Sequence, residues 1–192
     1  MPTQPKTFVP PEEYLERERK AEFKSEYLNG EIFVRARVAE THNLLAGGAL
    51  YLIHRQFLRR NCRVFGSDMR VGSTGLFTYP DLSAVCGEPQ FLDDRDDTLL
   101  NPALIVEVLS VSTEAYDRGR KFDHYRSVPS LKQYVLVASD RVHVDVFTRD
   151  AVGRWVLSSF EAPGDEIELG SIECRLLVSG LYDKTGLLSE SP

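Results

Sequence analysis

The sequence predicts an α/β sandwich, a central mixed β-sheet flanked by helices, and three stretches carry that prediction. The first is Asn101-Pro102-Ala103-Leu104-Ile105-Val106-Glu107-Val108-Leu109-Ser110, a nearly continuous apolar run rich in β-branched residues, which is how a strand buried on both faces reads. The second is the order strand 103–109, helix 114–127, strand 133–138. Such a β-α-β unit makes its two strands parallel, with a right-handed crossover. The third is Asn29-Gly30 between two short apolar runs, the strongest local hairpin signal a sequence offers.

Taken in order, residues 1–9 read as a loose arm, and Pro10-Pro11-Glu12-Glu13 opens a helix reaching about Phe23. The hairpin follows. Thr41 is placed to cap a second helix with Leu44, Leu45, Leu52, Ile53 and Phe57 as its apolar stripe, and the Gly47-Gly48 pair suggests close packing. Strand-like patterns then cover 62–65, 69–71 and 76–85, the last containing Tyr79-Pro80-Asp81-Leu82. After a polar loop comes the buried strand. Ser112 or Thr113 caps the helix 114–127, which Pro129 ends. Strands at 133–138 and 142–147 precede a terminal hairpin, 155–160 with 166–169, and a closing helix at 176–183. No interior linker divides these elements, so 1–192 reads as one domain, its core at about 41–148.

Composition narrows the function. With 27% charged and 42% hydrophobic residues the chain suits a soluble protein, without a stretch of transmembrane length or a secretory leader. Cys62, Cys86 and Cys174 are odd in number and form no CxxC pair, so neither a zinc site nor a disulfide is expected, and a reducing cytoplasm fits. A net charge of −6 argues against a surface that grips nucleic acid everywhere. It leaves room for a local patch: Arg55, Arg59, Arg60 and Arg63 lie close together in sequence, with Asp68 the nearby acid. That patch reads equally as a phosphate-tracking surface or as a solvated face.

Two carboxylates stand out. Glu107 sits in the middle of the most apolar strand, where an ionised group must find a partner, hold a metal ion or take up a proton. Asp81 follows Pro80 inside a strand pattern that disfavours both residues. Together they could hold a hard cation such as Mg²⁺, which takes one or two carboxylates and keeps several waters. On the helix after Glu107, Asp117, Lys121 and Tyr125 are spaced i, i+4 and i+8 and share a face, with His124 beside them. They read either as a solvated pair over a packed tyrosine or as a lysine held above the carboxylates.

Pro80-Asp81, Val106-Glu107-Val108-Leu109-Ser110-Val111-Ser112-Thr113, Asp117…Lys121…Tyr125 and Gln133-Tyr134-Val135-Leu136-Val137 resemble the Uma2 family, restriction endonuclease-like proteins common in cyanobacteria and placed in the PD-(D/E)XK nuclease superfamily. Tyr27-Leu28-Asn29-Gly30-Glu31 and His42 extend the resemblance toward the N-terminus. It implies a restriction endonuclease-like sandwich with N-terminal helix–hairpin and C-terminal hairpin additions. It also implies hydrolysis of DNA with Mg²⁺ (or Mn²⁺) held by Asp81 and Glu107. The lysine expected two residues after the acid is Leu109 here, so Lys121 takes its role, supported by Asp117 and Tyr125. His42 falls where related nucleases carry a further ligand, and Glu26 and Glu31 could reach the same cleft. A homodimer would suit cleavage of two strands. Two other readings stand beside it: a nuclease fold that has lost catalysis and binds nucleic acid or a partner protein, and a small-molecule enzyme or structural protein that uses Glu107 in a buried ion pair, for instance with Lys121.

Overall fold

The computed structural model of the chain describes residues 8–34 and 39–188. The chain starts with α1 (Pro11–Glu18), shorter than expected, and the hairpin β1 (Ser25–Leu28) and β2 (Glu31–Val34). Asn29 and Gly30 both take positive φ, 45° and 93°, as the tight turn between right-twisted strands requires. The Arg35 end of that hairpin, and most of the N-terminal arm, lie outside the described residues. Helix α2 (Glu40–His54) begins one residue before Thr41; its N-cap is Ala39, and no side chain caps it. Its buried face is His42, Leu45, Ala49 and Ile53, while Leu44 is exposed. Of the two glycines, Gly48 is the one that meets another element, its missing Cβ 3.6 Å from the Leu181 carbonyl oxygen.

The expected strand 76–85 is two strands. β3 (Cys62–Gly66) and β4 (Arg70–Ser73) precede β5 (Leu76–Thr78) and β6 (Leu82–Cys86), and these four are divided between two sheets. The break falls at Tyr79-Pro80-Asp81, where proline has no N–H to give to a ladder. β5 stays in a five-stranded sheet, ordered β2-β1-β5-β4-β7, whose last member is the short β7 (Thr98–Leu99). β6 crosses into a six-stranded sheet with β3, β8 (Leu104–Leu109), β9 (Gln133–Ala138), β10 (Val144–Arg149) and β11 (Trp155–Phe160), in the order β11-β10-β9-β8-β6-β3. The mixed character is as expected: β8 and β9 are parallel, and the other ladders of this sheet are antiparallel.

The β8–β9 crossover is α3 (Glu114–Tyr116), a π turn (Asp117–Lys121) and α4 (Phe122–Tyr125) in succession. β8 is buried at every position. Its alternation decides the layers. Leu104, Val106 and Val108 face one core with α2, the hairpin β12 (Glu166–Leu169)–β13 (Cys174–Leu177) and α5 (Val178–Leu181). Ile105 and Leu109 face the other core, built with Leu28, Leu76, Phe122, Tyr125 and Tyr134. Glu107 stands between Ile105 and Leu109 on that second face.

Two expectations are corrected. Strand 155–160 does not pair with 166–169: it extends the central sheet beyond β10, and the C-terminal hairpin is β12 with β13. Cys62 and Cys86 are not unpaired thiols. They are direct partners across the β3–β6 ladder and form a disulfide, whereas Cys174 is free and buried. Strand pairing between β3 and β6 is a long-range property that the cysteine spacing does not carry. No helix among the described residues is long and apolar enough to cross a membrane.

Candidate active site

Because Pro80 ends β5 and lets the chain change sheets, Asp81 arrives at the junction of the two sheets, one residue before β6. The register pairs Leu82 with Val106, so Asp81 faces Glu107 across the two strands. Its Oδ2 accepts the Val108 backbone N–H at 2.8 Å and lies 3.1 Å from His42 Nε2 in the first turn of α2. Asp81, His42 and Glu107 are all buried.

Glu107 Oε1 is 2.7 Å from Lys121 Nζ and accepts the Tyr125 hydroxyl at 3.0 Å. The Thr78 hydroxyl is 2.7 Å from the Tyr125 oxygen and, with Tyr125 donating to Glu107, serves as the donor there. Lys121 Nζ also reaches Glu26 Oε1 at 3.2 Å and Asp117 Oδ1 at 3.6 Å. Glu26 comes from β1 in the other sheet, and its Oε1 accepts the Tyr79 N–H at 3.2 Å. The π turn keeps Asp117 and Lys121 buried on the side that faces β8; π turns within helices recur where side chains are gathered for function.

Among the described residues, Glu26, Asp81, Glu107 and Asp117 gather around the Lys121 ammonium and the His42 imidazole, all buried. Burial pushes the Glu107 carboxyl up to about 8; Lys121 opposes the shift, while Asp117, Asp81 and Glu26 add to it. Burial likewise raises Asp117. For Lys121 burial disfavours the charge, but Glu107, Glu26 and Asp117 outweigh it and hold the ammonium well above its ordinary range. The two partners of the Glu107–Lys121 pair thus shift the same way. Lys121 therefore stays charged, while burial makes the Glu107 and Asp117 carboxyls hold protons more readily.

A cavity of about 240 Å³ opens over this cluster. Its floor is Glu26, His42, Asp81, Glu107, Asp117 and Lys121. Its walls include Phe33, Val34, Tyr116 and the hydroxyls of Ser110, Ser112 and Thr113. The donor chemistry on the floor suits Mg²⁺, an oxygen-seeking ion that needs only one or two protein carboxylates and retains water. Among the described residues no three His, Cys, Asp or Glu side chains already converge as a cation cage, so such an ion would rest on few protein ligands.

The structure therefore brings Asp81, Glu107, Lys121, His42, Asp117 and Tyr125 into one cluster. The arginines lie elsewhere. Arg55, Arg59 and Arg63 are exposed, and Arg60 is tied to Glu173 and the Ile172 carbonyl. None of the four lines the cavity. Arg55 is thirteen residues along α2 from His42, about 20 Å at the helical rise. Thr78, Phe33 and Tyr116 are not singled out by the sequence. Only the meeting of the hairpin with helix 114–125 brings Phe33 and Tyr116 to the cavity.

The family model described as "Putative restriction endonuclease" matches residues 11–176. The chain belongs to the Uma2 family. Two Synechocystis sp. proteins are close in sequence: Uncharacterized protein slr1290, 35% identical across 94% of this chain and 95% of its own length, and Uncharacterized protein sll1609, 34% identical across 81% and 89%. Among solved structures, the chain resembles one described as a putative nuclease belonging to DUF820 from Anabaena variabilis. The TM-score is 0.75 at 19% identity, over 89% of this chain and 96% of that one. At that identity the likeness shows a shared fold, and this Uma2 chain has the nuclease-like α/β architecture its sequence implied.

Proposed function

We propose that this Uma2 protein is a metal-dependent endonuclease hydrolysing phosphodiester bonds of DNA. The observation that carries the reading is the facing of Asp81 and Glu107 across β6 and β8, with Lys121 Nζ 2.7 Å from Glu107 in a cluster rich in carboxylates. Asp81 and Glu107 would hold Mg²⁺ or Mn²⁺. When bound, such an ion polarises a phosphoryl oxygen and lowers the pKa of water. The Val108 N–H and His42 orient Asp81, and Tyr125, backed by Thr78, orients Glu107. Lys121 carries its proton on Nζ beside Glu107, where it can steady an attacking water or the charge that builds on phosphorus-bound oxygen. Asp117 and Glu26 keep that ammonium charged.

The test is cleavage of end-labelled oligonucleotides with Mg²⁺, Mn²⁺ or EDTA. Wild type should cut only with the metals, Asp81→Asn and Glu107→Gln should not cut, and Lys121→Ala should lose turnover by roughly a hundredfold or more. Cleavage retained in purified Glu107→Gln would end the proposal. A second reading has its own support, Leu109 where the superfamily carries lysine. In it the fold binds nucleic acid or a partner without cutting. Metal binding without turnover on any oligonucleotide would favour it.

A further inference from the structure

The central sheet ends on one side in β11, and among the described residues no strand pairs with its outer edge. The middle of the strand, Val156 to Ser159, is exposed, Val156 by 52% and Leu157 by 51%. The ladder fixes which backbone groups face out. The Asp150 N–H donates to the Arg154 carbonyl oxygen at 2.8 Å, so alternation turns the groups of Val156, Ser158 and Phe160 inward to β10. The N–H and C=O groups of Trp155, Leu157 and Ser159 therefore point outward.

Exposed edges are ordinarily guarded, because an unpaired row of donors and acceptors recruits another strand. The other edges of this molecule follow that rule. β2 carries Glu31, β3 carries Arg63, β7 is two residues long, and the β12–β13 hairpin carries Glu166, Glu168 and Arg175. β11 has six residues, Trp155-Val156-Leu157-Ser158-Ser159-Phe160, with no charge, proline or glycine among them. Charge stands only at its two ends, with Arg154 before the strand and Glu161 after it, both exposed.

We propose that β11 pairs antiparallel with β11 of a second copy of this chain, joining the two central sheets across a two-fold axis. Antiparallel strands lie with opposite ends together, so Arg154 of each copy comes to Glu161 of the partner subunit, twice per dimer. A parallel arrangement would set like charges side by side. Because only odd-numbered residues offer outward groups, the two registers that overlap most of the strand are centred on Leu157 or on Ser158. Either one leaves Arg154 within one residue of Glu161 of the partner subunit. Each chain has one such edge and self-pairing uses it, so assembly stops at two.

Sedimentation velocity of the full chain across the micromolar range tests this. Wild type should pass from monomer to dimer with no larger species. Leu157→Lys, which sets two ammonium groups near the axis, should weaken dimerisation at least about tenfold without moving the thermal unfolding midpoint. Arg154→Glu and Glu161→Arg should each weaken it several-fold, and the double variant should return close to wild type. The Leu157 N–H should also exchange more slowly with deuterium in the dimer than in the monomer. Should Leu157→Lys lose its fold, the charge exchange decides alone. A monomer at every concentration, a ladder of larger species, a dimer that a folded Leu157→Lys leaves intact, or a double variant no better than the single ones would overturn the proposal.

Discussion

Glu107→Gln gives a sharp test of the electrostatics, because it keeps the size of the side chain and an acceptor for Lys121 and Tyr125 while removing the titration. In the folded protein the Glu107 carboxyl titrates near 8, against an ordinary value of 4.5. Between those values the folded state holds a proton that the unfolded chain has released. Stability from this group is therefore complete below about pH 4.5 and is lost as pH rises through about 8. The displacement corresponds to up to about 5 kcal/mol, less whatever Lys121 returns through its own attraction to the ionised carboxylate. Urea unfolding of wild type and Glu107→Gln at intervals from about pH 5 to 9 should give curves that separate, wild type falling relative to the variant by several kcal/mol. Parallel curves would refute the reasoning. So would a wild type that gains stability over the variant as pH rises, since that would make Glu107 an ordinary ion-pair carboxylate held ionised by Lys121.

Other consequences are equally concrete. Lys121→Met leaves Glu26, Glu107 and Asp117 buried without their shared cation; at about pH 7 to 8 it should cost about 3–5 kcal/mol in chemical unfolding, with the deficit narrowing as acid protonates the carboxylates. Reducing Cys62–Cys86, which are 24 residues apart in sequence, should lower stability by about 3 kcal/mol, read as a shifted denaturation midpoint with and without dithiothreitol. Gly75 has φ +76°, and a Cβ added there would overlap Asn29 Oδ1 in the neighbouring hairpin turn. Gly75→Ala should therefore cost about 1–3 kcal/mol, a loss that calorimetric melting checks.

The parts of the fold that sequence makes legible are those fixed by local chemistry. The Asn29-Gly30 turn, the apolar run of β8 and the 133–138 strand each carry their own signal, and the structure has them within a residue. Glu107 is conspicuous because a carboxylate in such a run contradicts its surroundings, and Asp81 because it follows a proline in a strand pattern. What stays hidden depends on which distant strands meet. Pairing of Cys62 with Cys86, the departure of 155–160 from 166–169, and the sheet change at Pro80 are all long-range outcomes. So is the arrival of Glu26 at Lys121, since nothing within the hairpin tells which face will meet helix 114–125. The arginines show the opposite error: closeness in sequence suggests one surface, whereas Arg60 is committed to Glu173 and the others lie beyond the far end of α2.

The most direct measurement is calorimetric titration of Mn²⁺ into metal-free protein near neutral pH, in two buffers of different ionisation enthalpy, for wild type and Asp81→Asn. Wild type should show saturable binding with proton release, because Glu107 must give up its proton to take a cation, and a folded Asp81→Asn should lose that binding. Absence of saturable binding to wild type, or the same binding in the variant, would contradict a cation site built on Asp81 and Glu107.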